Sequence, residues 1–343
     1  MKASRKLTTL ATLLIMLLMI GCKSSFETDD KKIGVHLIDS KTEPPSKVRL
    51  FFQIDTDFSN PTFPVDNPEF EIFENGSQIS ELESNARVRK EPGEFLYSSL
   101  LLLDLSGSIL NNSDLPNLKK AASTFIERTM PANNDELFGT REMAIYWFDG
   151  DTDLHILGHF TTDRDSLLTM IDSIDMDISD DNSTNLNGAV VQGISLMNSR
   201  LEETGGDPDS DMAIAGSMVL FTDGTDQAGI VTTNQALESI NRIGREHSLF
   251  SIGLGGEIDL NTLGMFGRDG FELAADSLAL EDSFLAVADR LERMSNSYYV
   301  LEYCSPKRAG QHTLQLRAVY EDRFGSFSMP FSAEGFSGGC SID

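Results

Sequence analysis

Five oxygen-bearing residues are spaced as a hard cation would need them. Asp104, Ser106 and Ser108 form an Asp-x-Ser-x-Ser run directly after four leucines, Leu100–Leu103. Thr184 lies in the stretch Ser183-Thr184-Asn185-Leu186-Asn187-Gly188-Ala189, and Asp223 in Phe221-Thr222-Asp223-Gly224. Side chains that offer only oxygen suit Mg²⁺ or Mn²⁺ in octahedral coordination with waters retained. Two carboxylates and three hydroxyls do not fill and neutralise the shell as an all-carboxylate cage would. An ion held this way stays electrophilic, with a position open to an acidic side chain from a partner.

The surrounding elements must bring these residues together. Leu100–Leu103 is an apolar run without alternation, the pattern of a strand covered on both faces. Helical spacing follows at Leu115, Leu118, Ala122, Phe125 and Ile126, with Asn112 or Ser113 as candidate N-cap. Strands are expected at Met143–Phe148, Leu154–Phe160, Met218–Thr222 and Leu249–Gly253. Helices are expected at Asp163–Ile174, Leu186–Leu201 and Asn234–Arg245, and on the face Phe284, Val287, Ala288, Leu291, Met294. Such alternation predicts an α/β fold, a doubly wound and mainly parallel sheet with helices on both faces. Ligands then bind outside the carboxyl ends of the strands. The loops carrying Asp104, Thr184 and Asp223 are all expected at that edge.

These residues resemble a von Willebrand factor type A (vWA) domain with a complete metal-ion-dependent adhesion site. Asp104, Ser106 and Ser108 match the family's D-x-S-x-S element, Thr184 its distant Thr, and Asp223 its final T-D-G element. The resemblance covers about residues 97–297, with order and spacing both in place. It implies a Rossmann-like sheet and metal bound directly by the Ser and Thr hydroxyls. The Asp carboxylates would bind directly or through water. It also implies a non-enzymatic role, in which a protein or extracellular-matrix ligand donates a carboxylate to the ion. The segments Val48–Asp55, Phe70–Gly76 and Tyr298–Pro306 are similar to those flanking vWA domains in bacterial surface lipoproteins.

Composition narrows the partners. Of 343 residues, 54 are Asp or Glu and 27 are Lys or Arg, a net charge of −27. Nucleic-acid binding, which requires clustered basic residues, is excluded on these grounds, and anionic lipid is disfavoured. Other motifs carry less. Asp149-Gly150-Asp151-Thr152-Asp153 lacks the Gly and Glu of a calcium loop, since Leu154 and Phe160 occupy those positions, and reads as a solvated turn. The acids of Asp175–Asp181 read as a solvated loop. Gly335-Phe336-Ser337-Gly338-Gly339 is followed by only four residues, too few for the helix and the downstream acid and His of a nucleophile elbow. Gly253-Leu254-Gly255-Gly256 lacks the dinucleotide spacing. His155 and His159 fall in an expected strand, where a shared metal is disfavoured. A hydrolase would need a general base, and none is apparent.

The N-terminus reads as an address. Lys2, Arg5 and Lys6 precede the apolar run Leu13–Ile20, which is too short to span a bilayer and suits a signal peptide. It ends in Met19-Ile20-Gly21-Cys22, which resembles a bacterial lipobox with Cys22 as the lipidated residue. Removing the leader takes the charge to about −30. Lys23 in place of Asp implies the outer membrane in a Gram-negative cell. The remaining cysteines, Cys304 and Cys340, form an even pair in an exported chain, which suggests a disulfide.

The expected organisation is a signal peptide over 1–21, a lipidated Cys and tether over 22–46, and a β region over 47–97. A vWA domain follows over 98–297 and a second β region over 298–343. One short strand within the tether is expected at Ile33–Ile38. Val48, Leu50, Phe52 and Ile54 alternate, as do Leu314, Leu316, Ala318 and Tyr320. Neither β flank buries its apolar face alone. The flanks are therefore expected to pair into one sandwich around the α/β insert, two separate β units being the alternative. The functional expectation is a lipid-anchored binding or adhesion protein of the cell envelope. The alternative is a periplasmic or surface scaffold that holds its partner independently of metal. An accessory role in a chelatase or ATPase conflicts with export.

Overall fold

The computed structural model describes residues 32–55, 68–80, 86–89, 95–110, 114–205, 213–256 and 258–342. The leader and Cys22 lie outside the described residues. The N-terminal flank supplies β1 (Gly34–Glu43), β2 (Lys47–Asp55), β3 (Glu69–Glu74), β4 (Ser77–Ile79) and β5 (Arg87–Arg89). Much of the expected tether is therefore strand: β1 pairs antiparallel with β2 from Gly34↔Asp55 to Glu43↔Lys47. Its alternation is hidden by an irregularity between Leu37 and Asp39, and its burial comes from the partner strand.

The central sheet comprises β6 (Phe95–Asp104), β7 (Arg141–Phe148), β8 (His155–Thr161), β9 (Ala213–Thr222), β10 (His247–Leu254) and β11 (Gly270–Ala274). Their spatial order is β11-β10-β9-β6-β7-β8, and only β8 is antiparallel to its neighbour. Its helices are α1 (Gly107–Leu110), α2 (Leu115–Thr129), α3 (Arg164–Asp172), α4 (Leu186–Gly205), α5 (Thr233–Arg242), α6 (Leu260–Phe266) and α7 (Leu280–Ser295). Leu101 and Leu103 face the core built with α2, α3 and α7, while Leu100 and Leu102 face the one built with α4 and α5. This is why the leucine run does not alternate: both faces of β6 are covered. Asp114, with no side-chain cap bond, precedes α2, and Pro116 sits in its first turn. The expected caps Asn112 and Ser113 lie outside the described residues.

The C-terminal flank adds β12 (Tyr298–Cys304), β13 (Gln311–Tyr320) and β14 (Arg323–Ser332). Two antiparallel sheets result, ordered β1-β2-β12-β5 and β14-β13-β3-β4. Each combines strands from both flanks, so the β regions form one sandwich and not two units. Leu50, Phe52, Ile72, Tyr299, Leu301 and Leu316 share its core. Period two places the intervening residues on the opposite face. Phe51, Tyr298 and Val300 accordingly belong to the α/β core. Phe52 stacks on Tyr299 in the sandwich, with centroids 5.7 Å apart, and Phe51 on Tyr298 against the α/β unit, at 5.5 Å. Cys304 at the end of β12 is disulfide-bonded to Cys340, with Cα atoms 5.8 Å apart.

Candidate metal centre

Asp104 is the last residue of β6, where the strand emerges between β7 and β9. It is fully buried. Its Oδ1 accepts the Ser106 N–H at 3.1 Å, and its Oδ2 accepts the Thr222 hydroxyl at 2.7 Å. The chain turns immediately into α1, with Ile109 and Leu110 N–H groups closing on the Ser106 carbonyl. That turn brings the Ser106 and Ser108 hydroxyls to 3.3 Å from each other. Ser106 is buried and Ser108 exposed, so the pair runs from wall to opening.

Thr184 approaches from the loop before α4 and is held on two sides. Its carbonyl accepts the N–H groups of Gln227 at 2.8 Å and Ala228 at 3.1 Å, tying its loop to the one after Asp223. The next residue, Asn185, donates its N–H to the Asp149 carbonyl at 2.7 Å and its side-chain amide to the Asp151 carbonyl at 2.8 Å. The Asn185 side chain folds back over α4, where its Oδ1 accepts the Gly188 N–H. A Cβ at position 188 would meet that side chain at 2.4 Å, so a larger residue there would displace Asn185. Asp223 follows the end of β9 and is half-buried. Thr222 beside it accepts the Gly224 N–H while donating to Asp104.

The electrostatics follow from this placement. Burial, and then the charge of Asp223, push the Asp104 carboxyl up to about 7, against the hydrogen bonds from Thr222 and Ser106. Two carboxylates in one buried corner disfavour each other's ionised forms. A divalent cation would offset that cost, and an all-oxygen donor set suits Mg²⁺ or Mn²⁺. The residues present therefore fit the ion that the motif implies. Asp104, Ser106, Thr184 and Asp223 lie on loops or strand ends at the carboxyl edge of the sheet, and Ser108 lies in α1 just beyond it.

Three contributors were not read from the sequence as parts of the site. Thr222 supports Asp104 directly, although its place before Asp223 was visible. Asp149 was assigned to a solvated turn, but it is buried. Its carboxylate accepts the Asp151 N–H at 2.9 Å and the Ser179 hydroxyl, fixing the loop that carries Thr184. Asn185 completes that clamp. Asp151 and Asp153 are exposed, as a turn predicts. His155 stacks on Trp147 with centroids 4.0 Å apart, and its Nε2 lies 3.6 Å from Asp149. Among the described residues, no group of three or more His, Cys, Asp or Glu is arranged to hold a metal ion.

The Thr222 contact yields a direct expectation. Thr222→Val keeps the shape of a fully buried side chain and removes the hydroxyl that supports Asp104. Outer-shell losses of this kind typically weaken metal affinity by about tenfold or more. Calorimetric titration of Mg²⁺ into wild type and variant checks it, and equal affinities would remove Thr222 from the site.

The family model for the von Willebrand factor type A domain matches residues 99–225, and the α/β unit has that fold. No curated protein matches the sequence. Among solved structures, the chain is similar to proximal thread matrix protein 1 from the mussel byssus, solved with a zinc-occupied MIDAS motif. Identity is 13%, the match covers 57% of this chain and 48% of that one, and the TM-score is 0.45. The match thus spans about half the length of the mussel protein. The chain is also similar to a von Willebrand factor type A protein from Catenulispora acidiphila, at 10% identity, 90% and 75% coverage and a TM-score of 0.45. A third similar structure is the vWF domain of the type V pili tip protein Mfa5 from Porphyromonas gingivalis. It has 13% identity, 58% and 95% coverage and a TM-score of 0.39.

Proposed function

We propose that this chain is a non-enzymatic binding protein whose vWA domain takes a partner through a divalent cation, Mg²⁺ or Mn²⁺. Asp104, Ser106, Ser108, Thr184 and Asp223 hold the ion, which supplies an electrophilic position for a carboxylate from a protein or matrix ligand. One observation carries this reading: the loop after β6 and the strand end at Thr222-Asp223 meet at a buried Asp104 carboxyl that faces Asp223 and hydrogen-bond donors, and the Thr184 loop is tied by Gln227 and Ala228 to the segment after Asp223. The opening beside Ser108 and Asp223 leaves the site accessible from outside.

Cys22 is the proposed lipid anchor, with the sandwich as a stalk beneath the binding face. The location that follows is the bacterial cell envelope, and the outer membrane where the cell has one. No helix among the described residues is long and apolar enough to cross a membrane.

The test is a calorimetric titration of Mg²⁺ and Mn²⁺ into residues 24–343, beside Asp104→Ala. One saturable site that the substitution abolishes is the expected result. A folded wild-type protein that binds neither ion would overturn the metal-dependent reading in favour of a scaffold independent of metal.

A further inference from the structure

Beside Asp223 the carboxyl edge opens into a cavity of about 210 Å³. Thr222 and Gly224, its neighbours in sequence, both line this cavity. A partner whose carboxylate reached an ion at Asp223 would bring its adjacent residues to the cavity mouth. The volume is below the roughly 300–1,000 Å³ of small-molecule sites and suits a single large side chain.

The lining specifies that side chain. Leu186, Leu220, Leu263 and Phe266 are buried and give the cavity an apolar floor. Asn187 contributes one polar group. It is 4% exposed, and its amide nitrogen donates to the Val231 carbonyl at 3.0 Å, which fixes the side chain's orientation. Its Oδ1 is buried with no hydrogen-bond partner among the described residues. A buried acceptor left so is destabilising unless something donates to it.

Two carboxylates in the lining are already engaged. Asp226 accepts the N–H groups of Asn187 and Gly229, and Asp259 caps α6 through those of Asn261 and Thr262. They make the cavity hostile to a second acid. A lysine or arginine would meet the divalent ion's own charge next to Asp223. A neutral aromatic ring with one N–H or O–H donor satisfies both the floor and Asn187, because such side chains bury an apolar body and seek one partner for the polar end.

The same edge also offers apolar surface outside the cavity. Ile230 and Leu260, next in sequence to Val231 and Asp259 at the cavity, each have at least half their surface exposed.

We infer that the partner presents a tyrosine or tryptophan close in sequence to its metal-binding acid, and that this ring enters the cavity with its donor on Asn187 Oδ1. The inference rests on the metal-dependent reading above. Its test is a library of random linear peptides selected on the Mg²⁺-loaded full chain and eluted with EDTA.

Eluted peptides are expected to share an acid and a tyrosine or tryptophan at a fixed offset. In a selected tyrosine peptide, changing that tyrosine to phenylalanine should weaken binding about tenfold, the value of one buried neutral hydrogen bond. Selection on Thr225→Trp, which places a ring at the mouth, should keep the acid and lose the aromatic. Peptides that carry an acid with no such aromatic, or an aromatic unaffected by Thr225→Trp, overturn the inference and leave the metal reading standing. A chain that titrates Mg²⁺ yet yields no EDTA-sensitive peptide also overturns it. A chain that does not titrate Mg²⁺ overturns both.

Discussion

Asp104→Asn is expected to make the metal-free protein more stable at pH 8 while abolishing its stabilisation by Mg²⁺. The reasoning starts from burial. The Asp104 carboxyl is pushed up to about 7 by desolvation and by Asp223. In the unfolded chain it would titrate near its ordinary value of about 3.9. The folded state therefore binds this proton more tightly than the unfolded state does. Below about pH 4 both states are protonated and no penalty arises. Between 4 and 7 the penalty grows, and above 7 it is complete, at roughly 4 kcal/mol as an upper bound. Metal-free wild type should thus lose stability from this group as pH rises through that window.

Asparagine keeps the shape and the acceptor for Ser106 or Thr222 but carries no charge to desolvate. Mg²⁺ reverses the ranking, because an ion that binds only the folded state stabilises by mass action. Urea denaturation at pH 5 and pH 8, in EDTA and in Mg²⁺, reads both effects. A variant less stable than wild type in EDTA at pH 8, or one still stabilised by Mg²⁺, would show that Asp104 is not the charge the ion compensates.

How much of this was legible in the residues depends on what decides each feature. The leucine run and the Thr222-Asp223 strand end were visible because strands covered on both faces leave uninterrupted apolar runs. The carboxyl-edge rule then put the loops of the five candidate oxygen donors at one edge of the sheet without coordinates. β11 and α6 were not anticipated. β11 is a five-residue edge strand with Phe271 and Leu273 exposed, and α6 is seven residues long with Gly264 inside. Both are too short for periodicity to register, and their neighbours decide their conformation.

Asp149 shows the other kind of limit. Asp149, Asp151 and Asp153 look alike as a run of acids in a turn, but only Asp149 is buried among them. The difference comes from Ser179 and Asn185, far along the chain, which supply its contacts. Composition favours a solvated turn, and tertiary contacts override it at one position. β1 was read only as a short strand at Ile33–Ile38 for the same reason, since β2 pairs with it as far as Glu43 where its own pattern does not announce a strand.

Replacing both Cys304 and Cys340 with serine is expected to cost about 4 kcal/mol, because the crosslink restrains a loop with a sequence separation of 36 in the unfolded chain. The native contacts identify where the loss is felt. Cys304 ends β12, which lies inside its sheet between β2 and β5. Cys340 holds the tail whose Phe336 is buried in the sandwich core. The Ser337 N–H also reaches the Pro45 carbonyl in the β1–β2 turn. Without the crosslink the tail frays first and uncovers that core. The loss then spreads, because Tyr298 and Val300 on β12 and Phe51 on β2 cover the α/β core from the opposite face.

The double variant should therefore unfold at lower urea concentration in one transition. Its Mg²⁺ affinity below that transition should match wild type, since the disulfide lies on the sandwich and the proposed metal ligands lie at the carboxyl edge of the central sheet. Two resolved transitions, with only the first shifted, would mean that the α/β unit stands without the sandwich. The shared residues Phe51, Tyr298 and Val300 would then be a contact between two independent units and not a common core.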